Sequence, residues 1–133
     1  MGEPPNIESL KIERLKKRPD FLAAAKAPSC ARGAVVVQAR ARPGVQGPIR
    51  AGFTATRKVG GAVVRNRAKR RLREAARLLL PEHGREGFDY VFIARAGTAG
   101  RAWPRLLDDV KTALVSLAAN HAAAANGPAA PSR

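Results

Sequence analysis

Nine lysines and arginines and a single acid, Glu74, lie between Arg57 and Arg77 of this 133-residue chain. Such side chains grip phosphate oxygens. Arginine, which outnumbers lysine 18 to 7 over the whole chain, does so through a planar fork suited to bidentate contact. The other residues that could do chemistry are scattered. His83 stands in the turn-like PEHGREG and His121 in an Ala-rich tail, neither with a second ligand at metal spacing. Asp108 and Asp109 are adjacent, so on a helix they diverge by about 100° and cannot share one ion. Val59–Gly61, VGG, is too short to cradle a phosphate and reads as a helix entry, and no nucleophile–base motif is present. If the protein takes part in a reaction, another molecule supplies the reacting groups.

The net charge of +15 carries a cost in self-repulsion that a polyanionic partner would remove. A membrane surface fits less well, because the basic segment offers no Trp or Phe on an apolar face. No run approaches the roughly 18 apolar residues of a membrane span, and the N-terminus has no apolar signal core. MGEPPN lacks the Ser or Thr of a myristoylation signal. Cys30 is the only cysteine, which excludes an internal disulfide, fits a reducing cytoplasm and reads as a small buried hydrophobe.

The length fits one domain. Residues 1–13, mixing Pro, Gly and charge, read as a flexible tail, 14–119 as the folded domain and 120–133 as a low-complexity disordered tail. Pro19 and Asp20 suit the first turn of a short helix on which Phe21, Leu22 and Ala25 share a side, ended by Pro28. SCARGAVVVQARAR predicts strand, broken at Gly33, with Val37, Ala39 and Ala41 alternating against Gln38, Arg40 and Arg42. After a turn at Pro43–Pro48, Ile49, Ala51, Phe53 and Ala55 face one way, and Arg50, Gly52, Thr54 and Thr56 the other. That second face is small and polar, with room for something to lie across the sheet. Phe88–Arg95 reads as a central strand buried on both sides. The last helix carries Trp103, Leu106, Val110, Leu114 and Leu117 on one stripe, which assigns Trp103 to core packing over base stacking.

On the basic helix, a step of 100° per residue from Val64 puts Ala68, Leu72, Ala75 and Leu79 within about 20° to 80°. Arg65, Asn66, Lys69, Arg70, Arg73 and Arg77 fan across roughly 100° to 240°, and Arg67 and Arg71 flank the stripe from its other side. A solvated charged helix intersperses Glu with Lys; here like charges meet at Arg65/Lys69, Lys69/Arg73 and Arg67/Arg71. Asn66 adds an amide that can read a base edge or a sugar hydroxyl. RNA is favoured over DNA because helices that enter the DNA major groove usually belong to all-helical motifs or dimers, whereas this one lies between strands.

Phe53–Leu79, FTATRKVGGAVVRNRAKRRLREAARLL, closely resembles the signature of the bacterial ribonuclease P protein subunit, whose core runs VG-x-AV-x-RN-R. RLKKRPDF upstream and DYVFIAR downstream match family segments in order, so the resemblance covers Arg14 to Ala118. It implies an α+β single-domain sandwich in the order α-β-β-β-α-β-α with a left-handed βαβ crossover. It also implies a non-catalytic protein subunit that pairs 1:1 with a catalytic RNA. That RNA uses Mg2+ to remove the 5′ leader of precursor tRNA, with no cofactor bound by the protein and no membrane partner.

Carried over by position, Arg65, Asn66, Arg67, Lys69, Arg70 and Arg73 would face the catalytic RNA, with Arg57 and Lys58 at the junction to the sheet. Phe21, Thr54 and Thr56, with Lys17, match a cleft for the leader between the sheet and the first helix. Two positions depart from the family pattern. Ala25 replaces a second aromatic, and Val37 stands where a cleft tyrosine is common, on the apolar side of the alternation, which leaves it facing leader or core. A grip on the leader through phosphates and Phe21 is the expectation. The rival classes are a ribosomal or other structural RNA binder, which would not stimulate precursor processing, and a DNA regulator, which would prefer duplex DNA. An autonomous nuclease would cut without RNA.

Overall fold

The computed structural model describes residues 12–44 and 47–126. Ten elements follow one another: β1 (Ile12–Arg14), α1 (Arg18–Ala25), β2 (Ser29–Arg32), β3 (Val35–Ala41), β4 (Ile49–Thr54), a 3-10 turn (Arg57–Val59), α2 (Ala62–His83), β5 (Phe88–Ala94), a second 3-10 turn (Thr98–Gly100) and α3 (Trp103–Asn126). The five strands form one sheet in the order β1-β4-β5-β3-β2. β4 and β5 run parallel and are joined by α2, while β3 runs antiparallel to both β2 and β5.

The expected α+β sandwich is present, with one strand more than its sequence order contained. β1 pairs in parallel with β4, Ile12 opposite Ile49. Three residues are too few for a visible alternation, so Ile12 and Glu13 read as part of a tail; residues 1–11 of that tail lie outside the described residues. At the other end α3 runs to Asn126, past the expected boundary at 119, because its Ala-rich end favours helix. Residues 127–133 lie outside the described residues.

β5 is central and buried on both faces, as its apolar run predicts. Residue parity divides the sheet. Val35, Val37, Ala39, Ile49, Ala51, Tyr90 and Phe92 meet Leu72, Leu80, Leu106, Val110 and Leu114 of α2 and α3 in the main core. On the opposite face α1 buries Ala24 against Val91 and Leu15, with Phe21 and Ile93 packed alongside. The side of α1 that packs is therefore Phe21 and Ala24, three residues apart; Leu22 (51% exposed) and Ala25 point away, contrary to the expected pairing.

Asp109, unexplained by the sequence, accepts the Ala34 backbone N–H at 3.0 Å and two arms of Arg101 at 2.6 and 3.1 Å. It ties α3 to the β2–β3 turn.

Candidate nucleic-acid interface

α2 begins abruptly. Gly60 has a φ of 148°, and a Cβ there would come within 2.9 Å of the Val64 side chain. Glycine therefore lets the chain turn from the 3-10 segment into the helix while Val64 packs over the bend. This moves the buried stripe along the helix. Val64 is 38% exposed, and cover starts at Ala68 and continues through Leu72, Ala75, Ala76 and Leu80. The expected stripe of Ala68, Leu72 and Ala75 is buried as read, and at its end Leu80 takes the buried place expected of Leu79, which is half-buried.

The rest of α2 is cationic and open. Arg57, Lys58, Asn66, Arg67, Arg70 and Arg73 are exposed, and Arg65 and Lys69 are half-buried. Among the described residues, none of the seven cations in that set has an acidic side chain within salt-bridge distance. Asn66, Lys69, Arg70 and Arg73 line one shallow depression with Val63. Arg73 also spreads over the Phe53 ring at 5.6 Å, which joins the helix surface to the edge of the sheet.

Two arginines of the run are engaged. Arg77 pairs with Glu74 one turn away. Arg71 donates to the carbonyls of Thr98 (2.7 Å), Ala99 (3.0 Å) and Arg101 (2.6 Å) and lies over Trp103 at 5.6 Å. Burial, and then the charge of Arg67, lower the pKa of Arg71 from its ordinary value. Arg71 thus serves the fold, closing the second 3-10 turn against α2. Trp103 packs against the core as expected and also lines an open pocket with Arg67, Arg70, Arg71 and Glu74.

The opposite face of the sheet holds the other predicted set in part. Phe21 lies across Gly52 so closely that a Cβ there would be 2.6 Å from its ring. Thr54 follows on the same face of β4, opposite Ile93 of β5. Thr56 is exposed past the end of β4, and Lys17 is exposed at the start of α1. Val37 is not in this set. It is fully buried in the main core, on the far side of the sheet, so the apolar alternation decided its direction. The β3 side chains sharing the Phe21 face are its half-exposed neighbours Val36 and Gln38, paired with Ile93 and Val91. Period two alone would have found them.

Sequence reasoning also missed Asp89. Its carboxylate, with no exposed surface, receives Arg42 at 2.6 Å, Arg50 at 2.7 and 2.8 Å and Arg40 at 3.2 Å. Arg40 and Arg50 are its direct cross-strand neighbours. Arg50 reaches on to Asp20 of α1 at 3.4 Å. Burial pushes the Asp89 carboxyl up, but the hydrogen bonds and charges of Arg50 and Arg42 outweigh it and hold its pKa below the ordinary value. Three arginines near the α1 face are thereby fixed to the sheet.

Among the described residues no three His, Cys, Asp or Glu side chains group where they could hold one metal ion. None of the described helices is long and apolar enough to cross a membrane.

A family model described as Ribonuclease P matches residues 10–118. The ribonuclease P protein component of Caulobacter vibrioides is 67% identical over 120 residues, covering 90% of this chain and 79% of that protein. The Ruegeria pomeroyi protein component is 56% identical over 108 residues, covering 80% and 86%. Among solved structures, the RNase P protein of Staphylococcus aureus superposes with a TM-score of 0.66 at 28% identity, covering 81% of this chain and 96% of that one. The RNase P protein from Thermotoga maritima gives 0.64 at 30% identity, covering 78% and 96%. A basic helix set between two parallel strands, an open polar sheet face beside α1 and this degree of likeness have one reading: the chain belongs to the bacterial ribonuclease P protein family.

Proposed function

We propose that the protein is the RNA-docking and leader-holding subunit of ribonuclease P, acting in the cytoplasm 1:1 with a catalytic RNA. The observation that carries this is the set of seven cations between Arg57 and Arg73, Arg71 apart, none with an acidic partner among the described residues. Held on α2 and the 3-10 turn before it, those cations replace condensed counterions on RNA phosphates, and the released ions drive association. Arg65, Asn66, Arg67, Lys69, Arg70 and Arg73 take the catalytic RNA, with Arg57 and Lys58 at the junction to the sheet. Mg2+ and the hydrolytic chemistry belong to the RNA, and the protein adds affinity for precursor over product.

Across the sheet, Phe21 offers a ring to one leader base and Lys17 a charge to its phosphate, with Thr54, Thr56 and Gln38 as hydrogen-bonding groups. The test is cleavage of precursor tRNA by a bacterial catalytic RNA at low Mg2+ with and without the protein. Stimulation that fades with salt at a log–log slope of about −0.7 to −0.9 per phosphate contact is expected. An RNA that binds the protein yet cleaves no faster would identify a merely structural binder.

The cleft has its own prediction. In Gly52→Ala the new methyl displaces the Phe21 ring. Precursor binding by the assembled enzyme should then weaken about tenfold relative to mature tRNA, the loss of one base stack. Affinity for the catalytic RNA should stay unchanged, because α2 lies on the other side of the sheet. Equal retention of precursor and mature tRNA preference would remove Phe21 from the leader site.

A further inference from the structure

The pocket beside Trp103 does not fit a surface that grips phosphates alone. It is an open depression of about 460 Å³, lined by Arg67, Arg70, Arg71, Glu74 and Trp103. Its materials are of two kinds. Trp103 presents part of its indole, and the Arg71 guanidinium beside it is held by three carbonyl oxygens. Both planar groups are thus fixed before any ligand arrives, so little ordering is left to oppose binding. Arg67 and Arg70 are exposed and have no acidic partner among the described residues. Glu74, which pairs with Arg77, puts a carboxylate in the same lining.

The Glu74 carboxylate, its charge balanced by Arg77, adds no pull on phosphate, and its remaining lone pairs can accept from an exocyclic amine. Indole and guanidinium planes stack on nucleobases. Unpaired arginines at the margin suit the flanking phosphates. We infer that this pocket takes one unpaired nucleobase of the catalytic RNA, of a kind bearing an exocyclic amino group, with its neighbouring phosphates on Arg67 and Arg70. The source is the docked RNA and not the leader, because the pocket lies on the α2–α3 side of the sheet and Phe21 on the other. The inference rests on the RNA-docking reading and adds to it a site that reads a base.

The chain has a single tryptophan, so its fluorescence reports this pocket directly. On titration of the full-length protein with bacterial ribonuclease P RNA, emission should be quenched and shielded from iodide. Trp103→Leu, which keeps an apolar group against the core, should weaken RNA binding roughly 5- to 150-fold, the worth of one base stack. Its salt slope should equal the wild type's, since stacking releases no counterions, whereas Arg67→Ala should flatten that slope. RNA bound at full strength with unquenched, iodide-accessible emission would overturn the pocket and leave docking standing. The wild-type readout holds whether or not the leucine variant folds. No binding of the RNA at all would overturn both.

Discussion

Replacing Arg65 and Arg67 together with alanine should weaken assembly with the catalytic RNA by about 150-fold or more, at roughly 1.5–3 kcal/mol for each lost charge-assisted contact. The same variant should unfold at an unchanged or slightly higher temperature. The two halves of that expectation come from one geometry. Neither side chain belongs to the core, and neither has an acidic partner among the described residues, so the free protein loses no attractive ion pair. It sheds repulsion instead, between Arg65 and Lys69 and between Arg67 and Arg71, worth a few tenths of a kcal/mol per pair. Burial is the main cause of the lowered Arg71 pKa, and the charge of Arg67 adds to it. The salt dependence sharpens the test. With two phosphate contacts gone, the log–log slope should flatten by about 1.4 to 1.8. Arg77→Ala is the internal control, since Glu74 already neutralises that guanidinium and its removal should cost little affinity. Filter binding or fluorescence anisotropy across a salt series reads both variants and the wild type. Equal slopes for the double variant and the wild type would mean that α2 does not lie on RNA phosphates.

The basic helix was legible because its signal is a violation. A face of like charges without acids makes sense only against an anion, and α2 kept that face open. The strands from β2 to β5 were legible for a related reason: a half-buried strand alternates, a fully buried one does not, and Gly33 interrupts the first run. What escaped depends on partners distant in sequence. β1 has three residues and exists only because β4 offers it an edge. Arg71 looks in sequence like its neighbours, and only the carbonyls of Thr98, Ala99 and Arg101, about 30 residues on, fix its guanidinium as part of the fold. Val37 could be placed by its parity against the pull of a family position, and parity is the stronger warrant because it follows from the pleat. Asp89 was hidden because a lone acid in an apolar run reveals its role only once β3 and β4 bring Arg40 and Arg50 opposite it.

Asp89→Asn should destabilise the protein by about 3–5 kcal/mol, the usual cost of removing one partner from a buried ion cluster. For a domain of this size that is a fall in Tm of roughly 10–20 °C. The amide oxygen can still accept, but its NH2 group turns donor hydrogens toward guanidinium groups that have only donors themselves. Arg42, with 10% of its side chain exposed, would keep its bonds to the carbonyls of Phe88 (3.2 Å) and Pro48 (2.7 Å) and lose its anion. Three cations would then face one another with Asp20 alone nearby. The pH dependence separates this from a packing defect. Because the folded pKa of Asp89 is depressed, its contribution is complete above the unfolded value, near 3.9, and is lost as the pH falls from there through the lower folded value. Wild-type Tm should therefore drop in that acid window, and the asparagine variant, already without the carboxylate, should drop less. Parallel curves would mean that the arginines do not depend on the Asp89 charge. The functional consequence should be one-sided. The cluster joins β3, β4 and β5 and, through Arg50, the start of α1, so it orders the face where Phe21 lies; α2 takes its support from the other face. At a temperature where the variant remains folded, the preference for precursor over mature tRNA should weaken several-fold while affinity for the catalytic RNA holds, because the arginines proposed to dock the RNA stand on α2 and do not touch Asp89.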